Sequence, residues 1–103
     1  MSKKKIIVIG AGAAGMMAAY AASTHSCQVT ILERNEKAGK KVFITGKGRC
    51  NVTNASDMEE LQNNIITNKK FLYSALYHFD NQAVMDFFEQ NGLQLKVERG
   101  NRV

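Results

Sequence analysis

The segment Gly10-Ala11-Gly12-Ala13-Ala14-Gly15 decides the fold of this chain, because it is a G-x-G-x-x-G motif set between a strand pattern and a helix pattern. Before it stands Ile6-Ile7-Val8-Ile9, a β-branched run typical of a strand that is buried on both faces of a parallel sheet. The stretch from 12 to 23 is rich in Ala and Met and predicts a helix. A second strand is predicted from Val29 to Leu32, which completes a βαβ unit.

Each glycine of the motif has a separate task in a dinucleotide-binding turn. Gly10 permits the tight turn out of the strand, Gly12 lets the backbone approach a pyrophosphate, and Gly15 lets the helix pack on the strand. The helix N-terminus offers free N–H groups and a positive dipole end to the diphosphate. Glu33 follows at roughly the spacing of a carboxylate that accepts hydrogen bonds from ribose hydroxyls. These features predict a dinucleotide site; the alternative is a glycine-rich turn that binds no ligand.

The kind of dinucleotide follows less directly from the residues. Glu33 disfavours NADP, because its charge repels a 2′-phosphate. Ala19 keeps the helix slim where it crosses the strand, and the motif stands close to the N-terminus. Both features favour FAD over NAD.

Composition excludes several classes of protein. The chain has 103 residues, of which 45% are hydrophobic, and 14 Lys plus Arg against 9 Asp plus Glu give a formal net charge of +5. This is globular composition for one domain at most, neither disordered nor collagen-like. The charge suits a phosphate-bearing ligand, and it is the only feature in favour of an RNA-binding domain. Two cysteines cannot form a disulfide framework, so a reducing, cytoplasmic location is expected.

The first residues also resemble a secretion signal. Lys3, Lys4 and Lys5 precede an apolar stretch, and Ala19-Tyr20-Ala21 resembles a cleavage site. The glycine spacing and the second strand argue against this interpretation, since a signal has no reason to keep either. The apolar stretch is also short and poor in large side chains, so no membrane span is expected.

The remainder of the chain predicts mostly helices. Ser56 and Glu59 have capping-box spacing ahead of a helix from Asp57 to about Ile66. A helix is predicted through 71–79, and another starts at Asp80 and stops at Gly92. The alternation over 93–97 predicts a half-exposed strand, and the aromatic stripe on the later helices is interpreted as core packing.

The stretch from 39 to 54 carries a second, longer motif, Thr45-Gly46-Lys47-Gly48-Arg49-Cys50-Asn51-Val52-Thr53-Asn54. With the N-terminal glycines and Glu33-Arg34, it resembles the aminoacetone-oxidase-like FAD-binding enzymes, a group that includes the 3-dehydro-bile-acid reductases. The resemblance implies an α/β, Rossmann-type, three-layer FAD-binding domain. Residues 1–103 would be its N-terminal portion: the βαβ unit, the following helices and a strand. Family members are several times longer, so the rest of the domain and an inserted substrate domain would be absent.

The resemblance also implies a set of cofactor contacts. The glycine loop and Glu33-Arg34 would hold the ADP half of FAD, two lysines would lie beside the pyrophosphate and ribose, and 45–51 would run towards the flavin. Gly46 and Gly48 free the backbone for close approach, and Arg49 brings a planar cation. The expected cofactor-binding residues are Gly10, Ala11, Gly12, Ala13, Ala14, Gly15, Glu33, Arg34, Lys40, Lys41, Thr45, Gly46, Gly48, Arg49, Cys50 and Asn51.

The function that the resemblance implies is an FAD-dependent oxidoreductase. Electrons would pass through the flavin from NAD(P)H or an amine-type donor to an organic acceptor or dioxygen, with a small-molecule substrate and neither nucleic acid nor membrane as partner. No catalytic side chain is assigned. No metal site is expected, because His25 and His78 lack partners at ligand spacing. Cys50 has no paired cysteine and is interpreted as a small buried packing residue. The alternative is an ADP- or NAD-binding module without activity of its own.

Overall fold

Two parallel strands open the chain. The computed structural model describes residues 3–45 and 50–103, and the chain divides into a first unit, residues 1–50, and a second unit, residues 51–103. Strand β1 spans Lys4–Ile9 and β2 spans Cys27–Leu32. They pair in parallel, with Lys4 opposite Cys27 and Ile9 opposite Leu32. Helix α1, Ala13–Ser23, connects them, so the βαβ unit that the sequence predicts is confirmed. The prediction that β1 is buried on both faces is wrong: Ile7 and Ile9 are 63% and 85% exposed, because α1 covers only one face of the strand pair.

Two glycines allow α1 to lie close against β1. Gly10 has a φ of +96°, a left-handed conformation that glycine adopts without strain, and its N–H donates to the Leu32 carbonyl at 2.8 Å. A Cβ on Gly15 would stand 1.8 Å from the Gly10 carbonyl oxygen. Ala19, one helical turn further on, is buried. The helix therefore approaches the strand to a distance that only side chains of minimal size permit.

A short helix interrupts the long polar connection after β2. Helix α2 spans Lys40–Ile44 and begins after Gly39, whose φ of +70° is again left-handed. The connection from Arg34 to Asn54 therefore contains an element of its own, as long connections in small domains often do.

In the second unit, helix α3 spans Met58–Asn63. Its cap is Asp57, whose carboxylate accepts a hydrogen bond from the Glu60 N–H at 2.9 Å. The prediction that Ser56 caps this helix is wrong by one residue. The backbone N–H of Ser56 donates instead to Asn54 Oδ1 at 3.0 Å, which draws Ser56 into the preceding turn.

Three helical segments follow directly, and a short 3-10 turn at Arg99–Asn101 comes near the end of the described residues. A 3-10 turn covers Lys69–Leu72 and continues into α4, Tyr73–His78, so the helix predicted over 71–79 has a tighter beginning. Helix α5 spans Asn81–Gln90, and the cap predicted at Asp80 is confirmed by a 2.8 Å hydrogen bond from the Ala83 N–H to its carboxylate.

The aromatic stripe packs only in part. Phe79, Phe87 and Phe88 form edge-to-face pairs with ring centroids 6.5 and 5.1 Å apart. Phe71 is 84% exposed, so the interpretation as core packing is wrong for this residue. The 3-10 turn at Phe71 shifts its direction relative to a continuous α-helix, because 3-10 geometry has three residues per turn.

The strand predicted over 93–97 does not form. Gly92, with a φ of +92°, ends α5, and the Leu93 N–H donates back to the Phe88 carbonyl at 2.9 Å. The described part of the chain supplies no neighbouring strand for 93–97, and alternation without a partner leaves the backbone groups unpaired. Pairing occurs later, where Val103 exchanges hydrogen bonds with Val52 and Thr53 at 2.7 and 3.0 Å.

Two asparagine side chains connect this pairing to α5. The Asn81 amide donates to the carbonyls of Asn54 and Ser56 at 2.6 and 2.7 Å. The Asn54 amide donates in turn to the Gly100 carbonyl at 3.0 Å. The turn 52–56 is thus held by backbone bonds on one side and by the first residue of a helix on the other.

Candidate functional site

The backbone of Ala11 is the centre of the candidate site in the first unit. Its N–H donates to Glu33 Oε1 at 2.9 Å, and its carbonyl accepts from the Gly39 N–H at 2.7 Å. The Ala11 side chain is 4% exposed. Three segments separated in sequence, the glycine loop, the end of β2 and the start of α2, therefore meet at the backbone of one residue.

The Glu33 carboxylate is already partly engaged by the protein. Oε2 accepts from the backbone N–H of Asn35 at 2.7 Å and from its side-chain amide at 2.9 Å. A carboxylate oxygen accepts about two hydrogen bonds, so Oε2 is satisfied and Oε1 retains one position beside the Ala11 N–H. The backbone N–H groups of Asn35 and Ala11, in that order, lower the pKa of Glu33 below its ordinary value of 4.5. The residue is thus an anion with one acceptor position to offer a hydroxyl group.

The glycine loop leaves backbone donors open at the start of α1. Gly12 precedes the helix with an extended ψ of −170° and contributes no capping side chain. A Cβ at Gly12 would meet nothing within 4 Å in the part of the chain that the structure describes. The N–H groups of the first helical turn have no acceptor within the helix itself. A ligand with negatively charged oxygens fits this arrangement, because it can approach the backbone and accept from these donors.

Basic residues follow the loop at the beginning of α2. Lys40 and Lys41 are the first residues of that helix, directly after the Gly39 N–H that reaches Ala11. An open groove of about 470 Å³ lies here. Its lining residues are Asn35, Glu36, Lys37, Ala38, Lys40 and Phe43. Lys37 and Lys40 against Glu36 give the lining of the groove a small excess of positive charge, which suits an anionic ligand.

The structure thus brings together the glycine loop, Glu33 and the start of α2. Arg34 is adjacent to Glu33, and its positive charge contributes to the lowered pKa of that carboxyl. Thr45 ends α2, and its hydroxyl donates to the Val42 carbonyl at 3.4 Å.

The remaining predicted site residues are Gly46, Gly48, Arg49, Cys50 and Asn51. Gly46, Gly48 and Arg49 lie outside the described residues. Cys50 is exposed, so the prediction of a buried packing residue is wrong: it lies in an irregular stretch without a helix or strand to cover it. Asn51 is also exposed and belongs to the second unit.

Sequence reasoning missed two residues that build the site. The motif analysis assigns no role to Gly39, although its left-handed φ places its N–H on Ala11. Asn35 was not singled out at all, and it supplies two of the three donors to Glu33. The available signal for Asn35 was its residue type, because Asn two positions after a carboxylate favours a local side-chain turn.

The described residues contain neither a metal-ligand cluster nor a membrane-spanning helix. Residues 3–45 and 50–103 contain no group of three or more His, Cys, Asp and Glu placed to hold a metal ion. In the same residues, no helix combines the length and the apolar character needed to cross a bilayer.

A parallel βαβ unit whose glycine loop precedes a helix, with a carboxylate at the end of the second strand, defines a Rossmann-type dinucleotide-binding domain. The family model described as the HI0933-like protein Rossmann domain matches residues 4–103. The chain therefore belongs to that family.

Several curated proteins are similar in sequence. A 3-dehydro-bile acid delta(4,6)-reductase of Clostridium scindens is 38% identical over 98 residues, which cover 93% of this chain and 24% of that protein. A ribosomal RNA dihydrouridine synthase of Escherichia coli is 33% identical over 93 residues, covering 90% and 23%. An L-amino acid oxidase of Bothrops pictus is 44% identical over 39 residues, covering 38% and 8%. The chain thus spans about a quarter of the length of the first two relatives.

Proposed function

We propose that the first unit binds the ADP half of FAD and that the protein acts as an FAD-dependent oxidoreductase. The observation that carries this proposal is the cluster at Ala11. There the backbone of one residue links the glycine loop to an anionic carboxylate and to the start of a lysine-bearing helix. This arrangement offers donors to a diphosphate and an acceptor to a ribose hydroxyl.

The electrostatics of Glu33 support an adenosine ribose without a 2′-phosphate. Its pKa is lowered, so the carboxylate carries its charge at neutral pH and repels a phosphate at that position. Since Oε2 is satisfied by Asn35, the free acceptor position on Oε1 serves one ribose hydroxyl. The chain therefore selects against NADP at this site by charge and by the number of open acceptor positions.

The names of the relatives support flavin chemistry of a particular type. A bile acid delta(4,6)-reductase and a dihydrouridine synthase are named for saturating a C=C bond conjugated to a carbonyl. When bound, FAD supplies two-electron transfer for such reactions. We extend to this chain the expectation of NAD(P)H as electron donor and a small conjugated carbonyl compound as acceptor. An amine-type donor, suggested by the amino acid oxidase match, is the other substrate class.

The first test is whether the purified chain retains FAD after desalting, measured by flavin absorbance. Gly12→Val is expected to lose the cofactor while keeping its helical signal, because a Cβ there meets nothing within 4 Å among the described residues, yet the side chain fills the approach to the backbone. Glu33→Lys is expected to lose it too. Glu89→Lys, an exposed site in the second unit with the same charge change, is the matched control and is expected to bind normally.

Three outcomes have different meanings. FAD bound by the wild type and the control but not by the two site variants supports the proposal. ADP or NAD bound in place of FAD favours a nucleotide-binding module without flavin chemistry. If neither FAD nor ADP binds at any pH between 6 and 8, the range in which proteins are commonly most stable, the proposal is wrong.

A second candidate substrate is a uridine of ribosomal RNA, which the names of two relatives favour. The chemistry is shared, since the C5=C6 bond of uracil is also conjugated to a carbonyl. FAD-loaded protein with NADPH can be offered a 3-oxo-Δ4 steroid or a ribosomal RNA fragment. Loss of the ultraviolet absorbance of the enone or of the uracil ring then distinguishes the two substrates.

A further inference from the structure

The backbone of Gly39 contacts the glycine loop, and the proposed function assigns no role to this contact. Its N–H donates to the Ala11 carbonyl at 2.7 Å, across 28 positions of sequence. Its φ of +70° directs the chain from the connection after β2 into α2. A Cβ at Gly39 would lie 3.4 Å from the methyl carbon of Met16, which is an ordinary contact with a flexible side chain. Space is therefore available, and the backbone conformation is what requires glycine.

We infer that Gly39 is a positioning residue for nucleotide binding: by holding the Ala11 carbonyl, it fixes the glycine loop in the conformation that receives the diphosphate. This inference rests on the proposed function and adds a residue that the cofactor itself need not touch. Gly39 acts through Ala11 and needs no contact of its own with the ligand.

The N–H of Ala11 explains why this hold matters. Glu33 accepts from that N–H, which belongs to the peptide before Ala11, and Gly39 holds the carbonyl, which belongs to the peptide after it. Two consecutive peptide groups of the loop are therefore fixed. Gly12, the next residue, begins the turn whose N–H groups face a ligand. If the carbonyl of Ala11 loses its donor, this peptide can rotate about its neighbouring bonds, and the following N–H groups rotate with it.

The same contact couples the connection after β2 to the ligand. Anything that orders the glycine loop strengthens the Gly39 bond, and anything that orders the Gly39 turn assists binding, because coupling free energies are reciprocal. Nucleotide binding is therefore expected to slow hydrogen exchange at the Gly39 amide. The amide of Gly92, a left-handed glycine of the second unit, is the internal reference.

The experiment compares two substitutions at one position. Gly39→Ala must adopt a left-handed φ that alanine resists, whereas Gly39→Asn adopts it more readily. With ADP as the probe, we expect Gly39→Ala to raise the dissociation constant by about tenfold, the size that backbone strain of this kind produces. Gly39→Asn is expected to stay within about threefold of the wild type.

The control is Gly92→Ala, which introduces the same kind of strain where a Cβ meets nothing within 4 Å among the described residues. It is expected to lower the melting temperature as Gly39→Ala does and to leave ADP affinity unchanged. Selective loss in Gly39→Ala with recovery in Gly39→Asn supports the inference. If the alanine variant does not fold, hydrogen exchange in the wild type decides: slower exchange at the Gly39 amide with ADP supports the inference, and unchanged exchange overturns it.

Two results overturn the inference and they differ from one another. If the wild type binds ADP and both Gly39 variants bind it equally well, Gly39 has only a structural role and the proposed function stands. If the wild type binds neither ADP nor FAD, the proposed function fails and the inference falls with it.

Discussion

The two units of the chain maintain their turns by different chemical means. In the first unit, the glycine loop is held by backbone groups: the N–H and carbonyl of Ala11, the N–H of Gly10 and the N–H of Gly39. In the second unit, the turns are held by short polar side chains, with Asp57 and Asp80 as helix caps and Asn81 as an anchor. A binding loop built from the backbone leaves its surface free of side chains, and a ligand can then approach it closely.

The largest expected effect comes from Gly15, where the first unit depends on the absence of a side chain. Gly15→Ala places a Cβ 1.8 Å from the Gly10 carbonyl oxygen, so α1 must move away from β1. We expect a loss of about 3 kcal/mol or more in the free energy of unfolding, measured by urea titration. Gly12→Ala is the control, since its Cβ meets nothing among the described residues. Equal stability of the two variants would contradict the close packing described above.

The corresponding change in the second unit removes a side chain rather than adding one. Asn81→Ala leaves the carbonyls of Asn54 and Ser56 without their donor, and both are half-buried. The expected loss is about 2 kcal/mol, because two partly buried acceptors lose their partner. Asn91→Ala also removes an amide that donates to a carbonyl, Phe87, but at an exposed helix end, and it should cost much less. Thermal melts of the two variants compare them directly.

A third prediction concerns Glu33, whose carboxylate contacts the glycine loop of the first unit. Because the folded-state pKa of Glu33 lies below 4.5, its carboxylate stabilises the folded chain above pH 4.5. This contribution is lost as the pH falls below 4.5 and through the lowered folded value. The stability difference between the wild type and Glu33→Gln should therefore shrink on acidification. A gap that widens in acid would rule out the assigned direction.

The smallest effect is expected for the ion pair between Lys96 and Glu98, whose charged atoms are 3.6 Å apart. The lysine side chain is 83% exposed, so solvent and salt screen the attraction. Lys96→Ala should change the free energy of unfolding by less than about 0.5 kcal/mol. Repeating the titration in high salt should remove what difference remains; a larger or salt-insensitive effect would indicate another role for Lys96.

The predictions from sequence succeeded where a local pattern carries the information. The glycine spacing identified the βαβ unit, and the Asp80 cap was read from the residue type and its place before an apolar pattern. The same rules placed the cap of α3 at Ser56 instead of Asp57, since two capping residues stand side by side and the sequence does not rank them.

The failures share a different cause, which is dependence on distant partners. The alternation over 93–97 has strand character, but a strand also needs a neighbour, and none is present in the described ranges. The contact between Gly39 and Ala11 joins two backbone groups, so no side-chain pattern announces it. For the predicted cofactor contacts, the geometry supplies a cluster around Glu33, and the assignment of each residue to the ligand stays a prediction.

The connections of Ala11 limit what mutational scanning can reveal about this chain. Its backbone N–H and carbonyl join three segments, yet its side chain is a single buried methyl group. An alanine scan passes over the position because it is alanine already, and larger residues there would report only on volume. An ester in place of the amide at residue 11 removes the N–H that donates to Glu33 and leaves the methyl group in place. Chemical synthesis, which is practical for a chain of 103 residues, therefore gives access to information that the genetic code does not carry at this position.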